Sequence, residues 1–528
     1  MTTGLFFRPK SVSMKLAAGA VVLGICPQAL AHGLRDRYDL PMPLWLWVVG
    51  AGATIIFTFA IIALFFRGYK PPSDPRGIDI FNLPGFRWFA HRVPVGLLRL
   101  LAVVLLVATV VSGFLGHSDP AHNLAPVMVW VVWWVGIAYV CALVGDLWAV
   151  INPFGTLFTW AEKIVALATG GRRLSLQKPY PQGLSMWPAV AGLGVFFWAE
   201  LIWAGGSVPW NLALAVTLYA GVTWAGMVVY GRDIWLQNAD PFSLVFGVFA
   251  RFAPLALRSS DREQIRACPS PACRYRQDHC VNGQICLARA APEDLTCILR
   301  PPAVGLLDEP QVPASLMVLV VVLLATVTFD GILETSLWAH VLERTLSGEV
   351  RFVGSAALVM CSVVFLMVFL AFSWLMTYCA RRFGGSRSVG AGPGVFDTAG
   401  SFVMTLVPIA IAYHLAHYLS YLVISGQYLI PRLSDPLGNG WNLFGTSDYQ
   451  VDIGLLGAQV AWYLAIAFIL AGHVFAVYIG HLAALRLFGN PRVAFFSQIP
   501  MTVLMVLYTM LSLWILAQPM VSWQGFPK

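Results

Sequence analysis

Ten stretches of the 528-residue chain run almost without charge: about 43–66, 95–116, 126–150, 186–205, 210–230, 314–330, 353–379, 396–424, 453–482 and 496–517. Most are as long as the roughly 20 apolar residues an α-helix needs to cross a hydrocarbon core. The polar and charged residues fall between them, in loops. This alternation predicts an all-α fold, a polytopic transmembrane helix bundle of about ten spans.

An eleventh apolar run, near the start, has a different character. Arg8, Lys10 and Lys15 surround the core LAAGAVVLGI, and the small-x-small triplet Ala29-Leu30-Ala31 follows. That is the layout of a secretory signal peptide, and its core is shorter than a span. Residues 1–31 are expected to be cleaved, which would leave His32 as the new amino terminus.

Charge then orients the spans. If His32 lies outside, the loops assigned to the inner side hold 24 of the 33 Lys and Arg residues, and the outer segments hold six: Arg35, Arg37, Arg344, Arg351, Arg432 and Lys528. The positive-inside rule expects such a split, with both ends outside. Only 11% of residues are charged, against about 25% in soluble domains. The net charge of +8 is spread over these loops, so it points to a lipid bilayer and not to nucleic acid. Nine cysteines are too few and too scattered for a secreted disulfide scaffold. The expected organisation is a signal peptide (1–31), spans one to five (32–248), a cytoplasmic Cys-rich loop (249–313) and spans six to ten (314–528). The oligomeric state is left open.

A faint repeat runs through the first half. NLAPVMVWVVWWVGIAYVCALVGDLWAVINPFGTLF begins at Asn123 and NLALAVTLYAGVTWAGMVVYGRDIWLQNADPFSLVF at Asn211. Each has Asn-Leu-Ala, an apolar span, an acidic residue near a Trp (Asp146, Asp233) and a Pro-Phe turn. A duplicated helix hairpin would give this pattern, as would convergent interfacial packing by Trp and Pro.

Candidate chemistry gathers toward the outer side. Of ten histidines, His32, His117, His122, His340, His414 and His417 fall there. His414 and His417, in AYHLAHYLSYL, are spaced i, i+3 and share one helix face, within a span where ionisable groups are expensive and usually functional. Glu200 and Asp330 end spans at the same depth, with Glu334 one turn later. The short loop GHSDPAHNLAP adds His117, Asp119 and His122. Imidazoles with carboxylates suit a divalent ion such as Zn, Mn, Co or Cu. The expected ligands are His414, His417, His117, His122 and His32, with Asp330, Glu200 and Asp119 as catalytic or water-positioning groups. A cleaved amino terminus at His32 would chelate through two nitrogens. Hydrogen-bonded bundle histidines and a polar turn are the plainer readings of the same residues. His473 and His481, nearer the inner side, suit packing or haem.

CPSPACRYRQDHCVNGQIC, with Cys268, Cys273, Cys280 and Cys286, lies on the inner side, where metal binding is favoured over disulfides. Its spacing fits neither a paired zinc ribbon nor a ferredoxin run. A small structural zinc site is the expectation; an iron–sulfur cluster, unliganded thiols or a disulfide are the alternatives. No nucleotide-binding P-loop, dinucleotide fingerprint or nucleophile elbow occurs.

Taken together, AHGLRDRYDLPMPLWLW, GDLWAVINPFGTLF, RPPAVGLL, FDGILETSLW, HLAHYLSYL, GHVFAVYIGHLAAL and SQIPMTVLMVLYTMLSLWIL resemble the bacterial integral-membrane fenitrothion hydrolase family, from about Ala31 to Ala517. The resemblance implies an inner-membrane organophosphorus hydrolase that cleaves the P–O–aryl bond of lipophilic phosphorothioate triesters. It implies no particular catalytic residues. A divalent metal would supply an activated water and a Lewis acid for such chemistry. A metal or small-solute transporter and a copper or haem membrane redox protein stand as alternatives.

Overall fold

The computed structural model describes residues 43–65, 77–259, 280–281, 294–309, 311–345, 349–384 and 393–518. The expected signal peptide, His32 and the side chains of Cys268, Cys273, Cys280 and Cys286 lie outside the described residues.

The chain is an all-α polytopic bundle, and among the described residues ten helices are long and apolar enough to cross a membrane. In order they are α1 (Leu44–Phe65), α2 (Arg92–Leu115), α3 (Leu124–Leu143), then two short helices α4 (Leu147–Ile151) and α5 (Pro153–Thr169), α6 (Trp187–Leu201) and α7 (Pro209–Tyr230). After α8 (Arg232–Asn238) and α9 (Pro241–Phe252) come α10 (Ala314–Leu333), α11 (Ser336–Glu343), α12 (Val350–Phe383), α13 (Val395–Ser434), α14 (Ala458–Phe488) and α15 (Pro491–Leu516). Helices satisfy their own backbone groups, which lipid cannot. Where α13 meets α14, Gly472 leaves no space for a Cβ against Ala412 and the Pro408 carbonyl. Small residues let spans approach in this way. α10 and α13 are the most enclosed spans; α2 and α12 turn most of their apolar surface outward.

The order of elements repeats as the sequence does. Each half has a long span, a short helix, and a helix that opens with Pro at its first position. Asn152 caps α5 by accepting from Phe154 and Gly155 N–H, and Asp240 caps α9 by accepting from Ser243 N–H. The Pro-Phe turns meet at the centre. Phe154 and Phe242 both pack on Trp133 (ring centroids 6.3 and 4.3 Å) and on Tyr219 (4.9 and 5.4 Å). The acidic residues of the repeat do local work: Asp146 caps α4 through Ala149 N–H, while Asp233 pairs with Arg232 at 2.7 Å.

The segment expected as a plain Cys-rich loop contributes three strands to a small four-stranded sheet. Its strands β1 (Ile78–Asp79), β2 (Leu255–Ser259), β3 (Cys280–Val281) and β4 (Leu295–Leu299) lie in the order β1-β4-β2-β3, with every pair antiparallel. Ile78 pairs with Leu299, which joins the α1–α2 connection to the α9–α10 connection. Asp79 also accepts from Cys297 N–H at 3.0 Å. On the other side of the bundle, His117 N–H donates to the Leu437 carbonyl at 2.8 Å. These links join like with like: connections assigned to one membrane face touch each other.

Candidate functional site

Helix α13 builds the site because its histidines recur at helical spacing with tyrosines behind them. His414, His417, Tyr418 and Tyr421 stand at i, i+3, i+4 and i+7, one face of a helix. That face turns into the bundle, so His414 and His417 are buried. Asp330, near the end of α10, and Glu200, near the end of α6, meet them there.

One chain of polar contacts ties the set together. His417 Nε2 faces Asp330 Oδ2 at 2.9 Å and donates to it when the carboxylate is ionised. The Tyr418 hydroxyl donates to the same oxygen at 2.7 Å and lies 3.3 Å from Glu200 Oε1. His414 stands apart from this chain. Its ring packs against Tyr418 (4.7 Å), Trp134 (5.4 Å) and Phe249 (6.0 Å), and its buried Nε2 has no hydrogen-bond partner. A buried polar atom without a partner calls for a water, a ligand or a chemical role.

His414, Tyr418, Asp330, Glu200, Trp134 and Phe197 line a small internal cavity. Its volume of about 10 Å³ is room for about one water. Phe197 and Thr326 belong both to this wall and to a groove of about 490 Å³ between α6, α10 and α12. The groove is lined by apolar side chains such as Val195, Val359 and Val363, which are exposed on the lipid-facing surface.

Two stretches are π-helical, Val127–Gly136 within α3 and Tyr421–Ser425 within α13. They pack against each other. The first carries Trp134 into the cavity wall, and the second follows the wall residue Tyr418 by three positions. Departures from α geometry occur often at functional sites.

The expected single pocket of outer histidines divides into two. His414, His417, Asp330 and Glu200 lie near one another, but His117, Asp119 and His122 form a separate cluster in the α2–α3 connection. The first set does not fit a divalent ion. Among the described residues, the His, Cys, Asp and Glu side chains whose donor atoms lie within 4.8 Å of one another in groups of three or more are His117, Asp119 and His122. In the buried set, Asp330 is already engaged by His417 and Tyr418. The reason is directional: α13 presents His417 to α10 and His414 to α3 and α9. His340 lies elsewhere, exposed on α11 and 3.6 Å from Glu343. His473 is buried, with Nδ1 2.8 Å from the Ile469 carbonyl, and His481 Nδ1 lies 3.3 Å from Gln498 Nε2.

Sequence reasoning overlooked Tyr418 and Tyr421. Each follows a candidate histidine by four residues, so helical spacing alone puts them on the same face. Trp134 gave no such signal, because its place depends on which spans are neighbours. No protein-family model matches this chain, and neither a curated protein nor a solved structure matches it.

Proposed function

We propose that this chain is a membrane-embedded hydrolase of lipophilic organophosphorus triesters, cleaving the P–O–aryl bond at the His414 cavity. Its setting is the bacterial inner membrane, with the cavity toward the outer side. The observation that carries this reading is the shared wall. A small cavity that holds an unpartnered imidazole and two carboxyl groups among apolar side chains abuts an apolar groove through Phe197 and Thr326. The groove has the size of a small-molecule site, and the cavity has room for the attacking water.

In this mechanism the aryl and alkyl groups of the triester lodge in the groove, and phosphorus approaches the cavity past Phe197. His414 Nε2 takes a proton from the water as its oxygen bonds to phosphorus. The P–O–aryl bond breaks, and the aryloxide leaves and recovers the proton. Asp330 holds His417 and Tyr418 in place by accepting from both. No step is routed through a metal, because the donors of this cluster do not converge on one.

A transport reading draws on His473, whose buried Nε2 also has no partner. It needs an inner relay through Asp146, Asp233 and His481. Asp146 caps a helix and Asp233 is paired with Arg232, so hydrolysis is the better supported.

The test is nitrophenol release from a nitrophenyl phosphorothioate triester by membranes holding the wild type, His414→Ala or Gly194→Phe at matched expression. Gly194 lines the groove and has open space around it, so a large side chain there obstructs the groove without touching the polar cluster. Wild-type activity, its loss in His414→Ala and a raised KM in Gly194→Phe are expected. A wild type that releases no nitrophenol would sink the reading.

A further inference from the structure

We propose that the α2–α3 connection carries a second site, a divalent transition-metal site made of His117, Asp119 and His122, independent of the buried cavity. The three residues lie within six positions of the chain, and one donor atom from each falls within 4.8 Å of the others. The two imidazole centroids are 5.4 Å apart. Two nitrogens and a carboxylate oxygen are the ligand set that suits Zn²⁺, Co²⁺, Ni²⁺ or Cu²⁺ over Mg²⁺ or Ca²⁺. Three protein ligands leave a position for water or an outside group.

The scaffold around the cluster is built in advance. Asp119 caps the turn Pro120–His122 by accepting from Ala121 N–H at 2.9 Å, and Pro120 fixes the backbone at its start. Buried Asn123 donates to the carbonyls of Ser112 and His117, both at 2.8 Å, and so pins each end of the loop. From the far side, His117 N–H donates to the Leu437 carbonyl, and Gly438, at φ +70°, comes so close that a Cβ there would crowd His117.

Hydrogen bonds orient both rings. His117 Nδ1 accepts from Asp119 N–H at 3.0 Å, so the ring proton sits on Nε2 and Nδ1 holds the lone pair, which an ion would take in place of that N–H. His122 Nδ1 shares a hydrogen with Asp119 Oδ2 at 2.9 Å. That shared proton is what a metal ion would displace. Arg432 opposes a cation here, since its charge interacts with Asp119; Asp435 offsets Arg432 from the adjoining loop. A bound ion would clasp the α2–α3 connection against the 435–440 loop and stabilise the folded state by mass action.

The test uses the full chain purified in detergent without a polyhistidine tag, titrated with Co²⁺ and followed by its visible spectrum and by thermal unfolding. The wild type is compared with the double variant His117→Gln/His122→Gln and with His414→Ala. The wild type and His414→Ala should bind a full equivalent more Co²⁺ than the double variant, with a difference spectrum free of thiolate bands. Co²⁺ should raise the Tm of those two and not of the double variant. Equal binding by wild type and double variant, or a thiolate band in the difference, would overturn the proposal. If the double variant is unstable without metal, Asp119→Asn serves instead. It keeps the helix-cap acceptor and should lower Co²⁺ affinity more than about tenfold; unchanged affinity would overturn the proposal equally.

Discussion

The Tyr418 hydroxyl stands between Asp330 and Glu200, 2.7 Å from one carboxylate and 3.3 Å from the other. Two acidic side chains from different helices thus share one phenolic donor inside the bundle. Tyr418→Phe removes that donor and leaves both carboxyl groups without it, a loss of about 1–3 kcal/mol. Glu200→Gln changes one of the two groups that share the hydroxyl, so the effects of Tyr418→Phe and Glu200→Gln should not add in Y418F/E200Q. Thermal unfolding of the four proteins in one detergent forms a double-mutant cycle, and additive effects would contradict the shared-donor geometry.

The two histidines of α13 should separate folding from chemistry. His417 is bonded to Asp330, so His417→Ala should cost about 1.5–3 kcal/mol of stability. His414 Nε2 has no partner to lose. His414→Gln keeps most of the ring's volume and should fold nearly as well as wild type and yet lose about 10²–10⁴ in hydrolytic rate. Measuring Tm and nitrophenol release on the same preparations checks both halves.

Close packing of α13 on α14 predicts unequal glycines on one helix. Gly472→Ala inserts a methyl where none fits and should destabilise by about 1–3 kcal/mol. Gly480→Ala meets only Thr405 Cγ2 at 3.9 Å, an ordinary contact, and should be neutral or stabilising. The comparison is read from the detergent-denaturation midpoints of the two variants.

Asp146 gives a pH dependence with a definite sign. Burial pushes its carboxyl up to about 6, against the opposing effects of the Ala149 N–H and the Arg251 charge. A raised carboxyl binds its proton more tightly in the folded state, so its protonated form favours folding. That contribution falls as pH rises from the ordinary value of 3.8 toward about 6. Asp146→Asn keeps the cap and removes the charge. It should flatten the Tm profile across that window and raise Tm at pH 7 by about 2 °C or more.

The spans were legible because lipid demands continuous apolar runs, and charge-bearing loops marked their ends. The sheet was not. β1 has two residues, and its partner Leu299 lies far along the chain, so no local pattern announces the pairing. His414 and His417 were legible from i, i+3 spacing, and Glu200 and Asp330 from their depth. That His414 turns away from His417's partner was not, because it depends on which helices flank α13. The loop cluster of His117, Asp119 and His122 is local and could be read directly; its separation from the cavity could not.

The paired π segments tie two spans together at the cavity's edge. Val127–Gly136 holds Trp134, and Tyr421–Ser425 begins three residues after Tyr418. An α-helix advances about 100° per residue, so the wider π turn sets the angle at which Trp134 is offered to the cavity. Because the two segments pack against each other, the spans that supply Trp134 and Tyr418 are held in one mutual register.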